Sequence, residues 1–454
     1  MYNLQTHNVM LIYFHNIMGG LLMQNTIDKQ RIHQIMKERE IHTQQELAEL
    51  MGITKNQVSV LLSPKANPFK SNFVKLCSVL DVSPIEILKR AEKEDGVLEQ
   101  SDKGKEEYID ISMVKANRQY KSVELFAGAG GLALGLEMAG FYENALVEID
   151  KYATETLRKN RPNWNVIEED VIKVASNGIK NYMSKGVEID LVSGGYPCQA
   201  FSYAGHKLGL EDVRGTMFYY FAQIVGELNP KVFLAENVKG LTTHDNGKTL
   251  KTMIDIYEEL GYTVTTHIIK ATDYNVAQKR ERVIIVGVRK DIKLPYKLPK
   301  PYEYKPVLKD VLKDVPKSIG EKYPEKKKKV LELVPPGGYW RDLPENIAKE
   351  YMGKSYYSGG GRTGMARRIS WNEPCLTLTC SPAQKQTERC HPDETRPFTV
   401  REYARIQSFP DKWEFMGSMG QQYKQIGNAV PVEMAKAIGL SIIDLLNKSE
   451  NEKS

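Results

Sequence analysis

A cysteine that follows a strand pattern, two glycines and a proline is where this 454-residue chain first shows reactive chemistry. In Gly194-Gly195-Tyr196-Pro197-Cys198-Gln199, the preceding run Ile189-Asp190-Leu191-Val192 predicts a strand, and the glycines stop it. The thiol then stands beyond the carboxyl end of a sheet strand, where sites in open α/β sheets form. A thiolate in such a place is a nucleophile; a lone cysteine that merely fills core is the other reading. Pro197 stiffens the approach, and residues 199–212, with Gly205 and Gly209, read as a mobile loop. Two more stretches carry suitable groups. Glu236-Asn237-Val238 ends a predicted strand at 232–235, so Glu236 can face the same cleft. Gln278-Lys279-Arg280-Glu281-Arg282 precedes the apolar strand 283–288, where a guanidinium can reach a carbonyl or a phosphate. A solvated charge cluster is the alternative for that run.

A ligand-type turn lies further upstream. Ala127-Gly128-Ala129-Gly130-Gly131 follows the predicted strand 122–126 and opens a helix. Glycines there let backbone approach a ligand closely, or serve only helix–strand packing. Glu148, at the end of the next predicted strand (144–147), is placed to hold both ribose hydroxyls of an adenosine. Asp170, after the strand at 164–167, is placed to accept from an adenine amino group. Strands separated by helical patterns predict an α/β sheet.

The elements before this sheet differ in kind. Residues 28–92 read as short helices. Asp28 caps the first, and Thr43 with Glu46 forms a capping box for the second. Gly52 turns the chain, and Thr54 caps a third helix, Lys55-Asn56-Gln57-Val58-Ser59-Val60-Leu61-Leu62. Further helices are expected at 73–80 and 84–88. The segment resembles the helix-turn-helix domains of the Cro/XRE type. That resemblance implies DNA contacts from Gln44, Thr54, Asn56, Gln57 and Ser59. A helical bundle for protein contacts is the alternative.

The remaining boundaries follow from composition. Residues 1–23 are expected to be a disordered or non-native start: their apolar run at 10–14 is too short to span a bilayer, and no basic residue precedes it as in a signal peptide. The domain expectation is helix-turn-helix at 24–92, a charged linker at 93–118 and the α/β unit that carries the candidate catalytic residues at 119–290. A loop-rich insertion at 291–395 follows, then a segment at 396–447 that completes the catalytic unit and a disordered tail at 448–454. The insertion carries Lys326 to Lys329, Gly359-Gly360-Gly361, and Tyr339, Trp340, Tyr356 and Tyr357 among basic residues, which suits a nucleic-acid surface or a solvated insertion. The net charge of +6 is compatible with nucleic acid but does not decide the matter. Five cysteines (Cys77, Cys198, Cys375, Cys380, Cys390) are odd in number and unevenly spread, with no Cys-x-x-Cys pair. They predict neither a disulfide framework nor a zinc site, and fit a reducing cytoplasm.

Five motifs in one order make the resemblance specific. Phe126-x-Gly128-x-Gly130-Gly131, Gly195-Tyr196-Pro197-Cys198-Gln199, Glu236-Asn237-Val238, Gln278-x-Arg280-x-Arg282 and Gln425-Ile426-Gly427-Asn428-Ala429-Val430-Pro431 resemble the DNA (cytosine-5)-methyltransferases over about residues 120–446. The segment 396–407 is similar to that family's helix returning to the large domain. The resemblance implies an α/β, doubly wound, AdoMet-dependent catalytic fold at 119–290 and 396–447, with a target-recognition domain inserted at 291–395. It implies Cys198 attacking carbon 6 of a flipped-out cytosine, Glu236 at ring nitrogen N3, and Arg282 and Arg280 supporting the ring carbonyl. It implies S-adenosyl-L-methionine bound by Phe126, Gly128, Gly130, Gly131, Glu148, Ile149, Asp170, Pro197, Asn428 and Val430, with S-adenosyl-L-homocysteine as product and no metal. Ile149 stands where many relatives have an aromatic ring, and Ser408 where Gly is common. The expected partners are double-stranded DNA in the cleft, a second operator at the helix-turn-helix domain, and a restriction endonuclease acting on the same site without direct contact. No membrane is expected, and the location is the bacterial cytoplasm, at the nucleoid. Two alternatives are a tRNA cytosine-5 methyltransferase and a transcriptional regulator with an inactive methylase fold.

Overall fold

The computed structural model describes residues 25–62, 76, 79–80, 82, 88–90, 107–197, 216–357 and 364–452. Cys198, the loop expected at 199–212, Gly359 to Gly361, the start at 1–23 and linker residues 93–106 lie outside the described residues, as do most of the helices expected at 73–80 and 84–88.

The N-terminal unit is built as its caps dictate. Helix α1 (Lys29–Glu38) starts at Asp28, whose carboxylate accepts from the N–H groups of Gln30 and Arg31. Helix α2 (Gln44–Met51) starts at Thr43 and ends at Gly52, whose φ of +63° is the left-handed turn glycine tolerates. Helix α3 (Lys55–Leu61) begins with a Thr54–Gln57 capping box. Ile32, Ile35, Leu47, Ala48, Val58 and Leu61 close the core beneath them. One expectation fails here. Leu88 is extended rather than helical: Leu88–Arg90 pairs antiparallel with Asn25–Ile27, and this pairing satisfies backbone groups that a helix would have used.

The large unit is one seven-stranded sheet. Its strands are β1 (Tyr120–Leu125), β2 (Phe141–Glu148), β3 (Val166–Glu168), β4 (Leu191–Gly194), β5 (Val232–Val238), β6 (Tyr262–Lys270) and β7 (Glu281–Arg289). Their spatial order is β3-β2-β1-β4-β5-β7-β6. Neighbours from β3 to β5 are parallel, and β7 runs antiparallel to both β5 and β6. The apolar pattern gives no strand over 262–270, because Thr263, Thr265, Thr266 and His267 interrupt it; at the sheet edge such half-buried β-branched residues suffice.

Helices cover both faces, as a parallel sheet requires. On one face lie α4 (Gly131–Ala139) and the long C-terminal helix Val432–Asn451, over Leu191, Leu234, Ile284 and Val286. Helix α5 (Lys151–Asn160) lies on that same face near the β2–β3 edge, with Leu157 packed among Ala133 of α4 and Leu146 of β2. The other face carries α6 (Val171–Asn177), α7 (Thr216–Leu228) and α8 (Lys248–Glu259), packed over Val123, Val192, Phe233 and Ile285.

Three expected boundaries shift. Residues 107–118 are not linker. Tyr108–Ile109 pairs with Leu298–Pro299, Ile111 is buried, and Arg118 binds Asp190 at 2.5 Å and Glu450 at 2.7 Å. Residues 448–451 are not a disordered tail, since the last helix runs to Asn451 with Ser449 buried and Glu450 in that charge network. Charged composition concealed both, because these charges are paired rather than solvated. The insertion expected from 291 also begins later than that. Ile292, Tyr296 and Leu298 belong to the sheet's core, whereas a separate small core gathers Tyr323, Leu331, Trp340, Leu343, Met352 and Cys390.

Candidate active site

β1 leads to β2 on one side of the sheet and β4 to β5 on the other, so the strand order reverses between β1 and β4. A crevice opens at such a switch point, and two turns rim it.

The first turn follows β1. Phe126 (φ +59°), Gly128 (φ +54°) and Gly130 (φ +83°) are left-handed. A side chain at Gly128 would meet open space, whereas one at Gly130 would lie 2.6 Å from Leu157 Cδ2 and one at Gly131 2.3 Å from the Val430 carbonyl oxygen. Gly128 therefore leaves room for a ligand against the backbone. Gly130 and Gly131 let α4 pack closely on α5 and on the C-terminal segment, which places Val430 against α4.

Glu148, at the end of β2, is buried. Its carboxylate accepts from the N–H groups of Gly128 (2.7 Å), Ile149 (2.9 Å) and Asp150 (2.7 Å). Burial pushes its pKa up, and those hydrogen bonds work against the rise. It is a fixed acceptor with lone-pair capacity left for another donor. Ile149 beside it is 66% exposed, an apolar face with no protein cover. Asp170 caps α6 through the Ile172 N–H at 2.9 Å and is half-buried. An exposed apolar side chain beside a fixed carboxylate, a second carboxylate at the end of the neighbouring strand, and open space at Gly128 fit an adenosine-bearing group.

The second turn follows β4. A side chain at Gly194 would lie 2.5 Å from the Leu125 carbonyl oxygen, and one at Gly195 2.9 Å from Glu236 Oε2. Only glycines let this turn pass so close to β1 and to the Glu236 carboxylate. Tyr196 is buried, its ring edge-on to Phe126, Phe218 and Phe221. The Asn237 amide donates to the Tyr196 carbonyl (3.2 Å), and its oxygen accepts from the Val238 N–H (2.8 Å). The chain leading to exposed Pro197, the last described residue before Cys198, is thus held from both sides.

The register of β5 and β7 sets Ile284 opposite Glu236 and Arg282 opposite Val238. Glu236 and Arg282 are diagonal neighbours on one face, within reach for long side chains. Arg282 Nε lies 2.8 Å from Glu236 Oε1, and both side chains are largely buried. Arg280 points elsewhere. It is buried and donates to the carbonyls of Gly427 (3.2 Å) and Asn428 (3.5 Å). Burial, with Arg282 nearby, pushes its pKa down to about 9, so it stays charged at neutral pH. Arg280 braces the Gly427-Asn428 turn, and Arg282 faces the carboxylate. Gln278 adds a second brace: its amide donates to Gln407 Oε1 (2.8 Å), while Gln407 donates to the carbonyls of Ile426 (2.7 Å) and Ala429 (3.1 Å). Asn428 is exposed, with its side-chain oxygen accepting from Cys380 Sγ at 2.9 Å.

Beside this cluster opens a cleft of about 580 Å³, whose walls include Lys239, Lys270, Lys279, Arg280, Arg282 and Thr377. Lys239, Lys270 and Lys279 carry no sequence signal of their own, since single lysines at strand ends read as solvated surface; only the fold gathers them. Asn237 was legible as part of a motif, but its role in holding Tyr196 was not. On α3, Thr54, Asn56, Gln57 and Ser59 are exposed, and Gln44 is half-buried on α2. Thr54 and Gln57 are partly committed to their mutual cap, with Gln57 Oε1 accepting from the Thr54 N–H at 2.8 Å. Among the described residues no group of three or more His, Cys, Asp or Glu could hold a metal, and no helix is long and apolar enough to cross a membrane.

Residues 120–444 match the family model described as C-5 cytosine-specific DNA methylase, and residues 31–93 that of the Cro/C1-type HTH DNA-binding domain. The chain is similar to Type II methyltransferase M.Sau96I of Staphylococcus aureus, 56% identical over 93% of this chain and 99% of the relative. It is likewise similar to Type II methyltransferase M.Eco47II of Escherichia coli, 59% identical over 73% of this chain and 81% of the relative. Among solved structures, a DNA modification methyltransferase encoded within an E. coli prophage covers 72% of the chain, and all of its own length, with a TM-score of 0.55 at 27% identity.

Proposed function

The chain belongs to the C-5 cytosine-specific DNA methylase family, and from that premise we propose how its residues divide the work. The protein is a DNA (cytosine-5)-methyltransferase of the Type II kind with a second, helix-turn-helix DNA-binding domain. The observation that carries the reading is the Glu236–Arg282 pair beside the Gly194–Pro197 turn, next to a basic cleft.

The target cytosine leaves the duplex stack to reach these groups. Cys198, next after Pro197, adds as thiolate to carbon 6. A cytosine ring offers N3 to Glu236 and its carbonyl to Arg282, so two hydrogen bonds to the base replace the ion pair. Glu236 hydrogen-bonds or protonates N3, and Arg282 supports the charge that gathers on the carbonyl. Carbon 5, now electron-rich, takes a methyl group. A base then removes the carbon 5 proton, and the thiolate leaves carbon 6. Bound S-adenosyl-L-methionine supplies the electrophilic methyl group. Gly128 gives it backbone room, Glu148 and Asp170 accept from its ribose and adenine, and Ile149 lies under the ring. Phe126, Gly130, Gly131, Pro197, Asn428 and Val430 shape the rest of that pocket, several of them through packing. Arg280 acts on the Asn428 turn from behind.

Thr54, Asn56, Gln57 and Ser59, with Gln44, give the N-terminal domain its own DNA site, at which it represses transcription of its own gene. A restriction endonuclease acting on the same sequence, and a bacterial cytoplasmic location, complete the reading. The test is transfer of label from labelled S-adenosyl-L-methionine to duplex DNA. Wild type is expected to label DNA, and Cys198→Ser to bind cofactor and transfer none. A folded wild type that labels no DNA would sink the assignment.

A further inference from the structure

Within the recognition region, one short loop is held from inside by a fully buried carboxylate. Glu388 accepts from Lys327 Nζ (2.5 Å), from the Tyr351 hydroxyl (2.5 Å) and from the Ala366 N–H. Lys327 sits in the run Lys326 to Lys329, yet its side chain is only 15% exposed, and it also donates to the Ala383 carbonyl (2.5 Å). Lys385 donates to the Tyr351 carbonyl. The loop's neck is closed by Thr379 and Thr387, whose hydroxyl oxygens are 3.2 Å apart, and by the Thr387 N–H on the Gln384 carbonyl (3.0 Å). Its base joins the basic cleft: Thr377 lines that cleft and donates to the Lys279 carbonyl (2.8 Å), while Arg389 donates back to the Thr377 carbonyl (2.9 Å).

What the loop presents is polar and unspent. Gln384 and Gln386 are exposed, and neither side-chain amide has a hydrogen-bond partner among the described residues. A primary amide carried on a pinned loop at the edge of a basic cleft has the donor–acceptor pair that reads a base edge in the major groove. Rigidity matters, because a loop ordered in advance loses less freedom on binding.

Resting on the methyltransferase reading above, we infer that residues 381–387 read base edges of duplex DNA through Gln384 and Gln386, and that Glu388 is the positioning residue that fixes them. A buried ion pair under this loop sets the position of the backbone that carries the two amides. Lys327 is thereby removed from the solvated basic run and given to specificity.

The experiment expresses wild type, Gln384→Ala/Gln386→Ala and Glu388→Gln in a host without cytosine methylation and reads the host DNA by bisulfite sequencing. Purified proteins are then assayed on oligonucleotide duplexes carrying the wild-type site and its single-base variants. The double variant is expected to methylate with relaxed preference at one or more positions, its discrimination falling by about tenfold or more, with cofactor affinity unchanged. Glu388→Gln is expected to raise KM for DNA while kcat is retained. Should Glu388→Gln not fold, Tyr351→Phe removes one hydrogen bond to the same carboxylate and is read in the same assay. A wild type that methylates nothing would overturn the enzyme reading itself. A wild type with a defined site, and a double variant with the same preference and rate, would overturn the loop assignment alone. A lower Tm with unchanged KM in the Glu388 or Tyr351 variant would make the carboxylate merely structural.

Discussion

Glu236 and Arg282 stand on strands that run in opposite directions, and that is why they meet. The chain between them turns through β6 and comes back, so two charges 46 positions apart become diagonal neighbours. Gly195 completes the arrangement by leaving space for the carboxylate. Two substitutions test the geometry. Glu236→Gln keeps the shape but cannot deliver a proton in the same way; kcat is expected to fall at least about a hundredfold, with cofactor binding by calorimetry unchanged. Gly195→Ala puts a methyl group 2.9 Å from Glu236 Oε2. It is expected to lower kcat while the melting temperature stays within about 3 °C of wild type. A Gly195→Ala enzyme with full kcat would show that the carboxylate needs no such clearance. The residue types at this site were legible in the sequence. The division of labour between the two arginines was not: Arg280 and Arg282 are equivalent in a Gln-x-Arg-x-Arg run, and only the fold turns one to a carboxylate and the other to a backbone turn.

The elements owe their placement to close approaches and to buried charge. Helix α4 crosses the C-terminal helix so tightly that a side chain at Gly135 would lie 2.4 Å from Ala435 Cβ and 2.6 Å from the Val432 carbonyl oxygen. Gly135→Ala must push backbone apart. It is expected to destabilise by about 1–3 kcal/mol in urea melts, and a neutral result would mean that the helices move freely. On β1 and β2, Glu124 and Glu143 are fully buried beneath these helices. Burial pushes the Glu143 carboxyl up to about 8 and also raises Glu124, there helped by the neighbouring carboxylates Glu143 and Glu148. A folded pKa above the unfolded value means that the folded protein keeps a proton the unfolded chain releases. Stability is then greatest below about pH 4.5 for this group and falls as pH rises towards about 8, by up to about 1.4 kcal/mol per pH unit. Glu143→Gln should flatten the dependence of urea stability between pH 5 and 8; an unchanged slope would remove Glu143 from it. The alternation of strands and helices predicted this sheet. It did not predict β6, whose threonines satisfy an edge strand, nor the antiparallel sense of β7, because a continuous apolar run has no direction.

At the scale of the whole molecule, the point at which the N-terminal domain can be removed is set by packing. Composition alone suggests a cut near 118. The structure puts Tyr108–Ile109 beside Leu298–Pro299 and ties Arg118 to Asp190 and Glu450. Burial opposes charge on Asp190, but hydrogen bonds from Arg118, the Lys121 N–H and Lys231 outweigh it and hold its pKa below the usual range. A chain lacking residues 1–106 is expected to keep wild-type methylation and lose any DNA binding that belongs to the N-terminal domain. A chain lacking 1–118 is expected to melt at least about 4 °C lower. Equal melting temperatures for the two would show that 107–118 contributes nothing to the large unit.

Sequence alone determined the α/β class, the helix-turn-helix pattern, the family and the identities of the chemical groups. These are properties of residue type, order and local period, which survive without a third dimension. Tertiary structure decided which groups face one another, which glycines make room for a ligand rather than a helix, and where the domains part. It also drew one lysine of a basic run inward to a buried carboxylate. Those outcomes depend on strand direction, register and burial, and each joins residues too far apart in the chain for any local pattern to record.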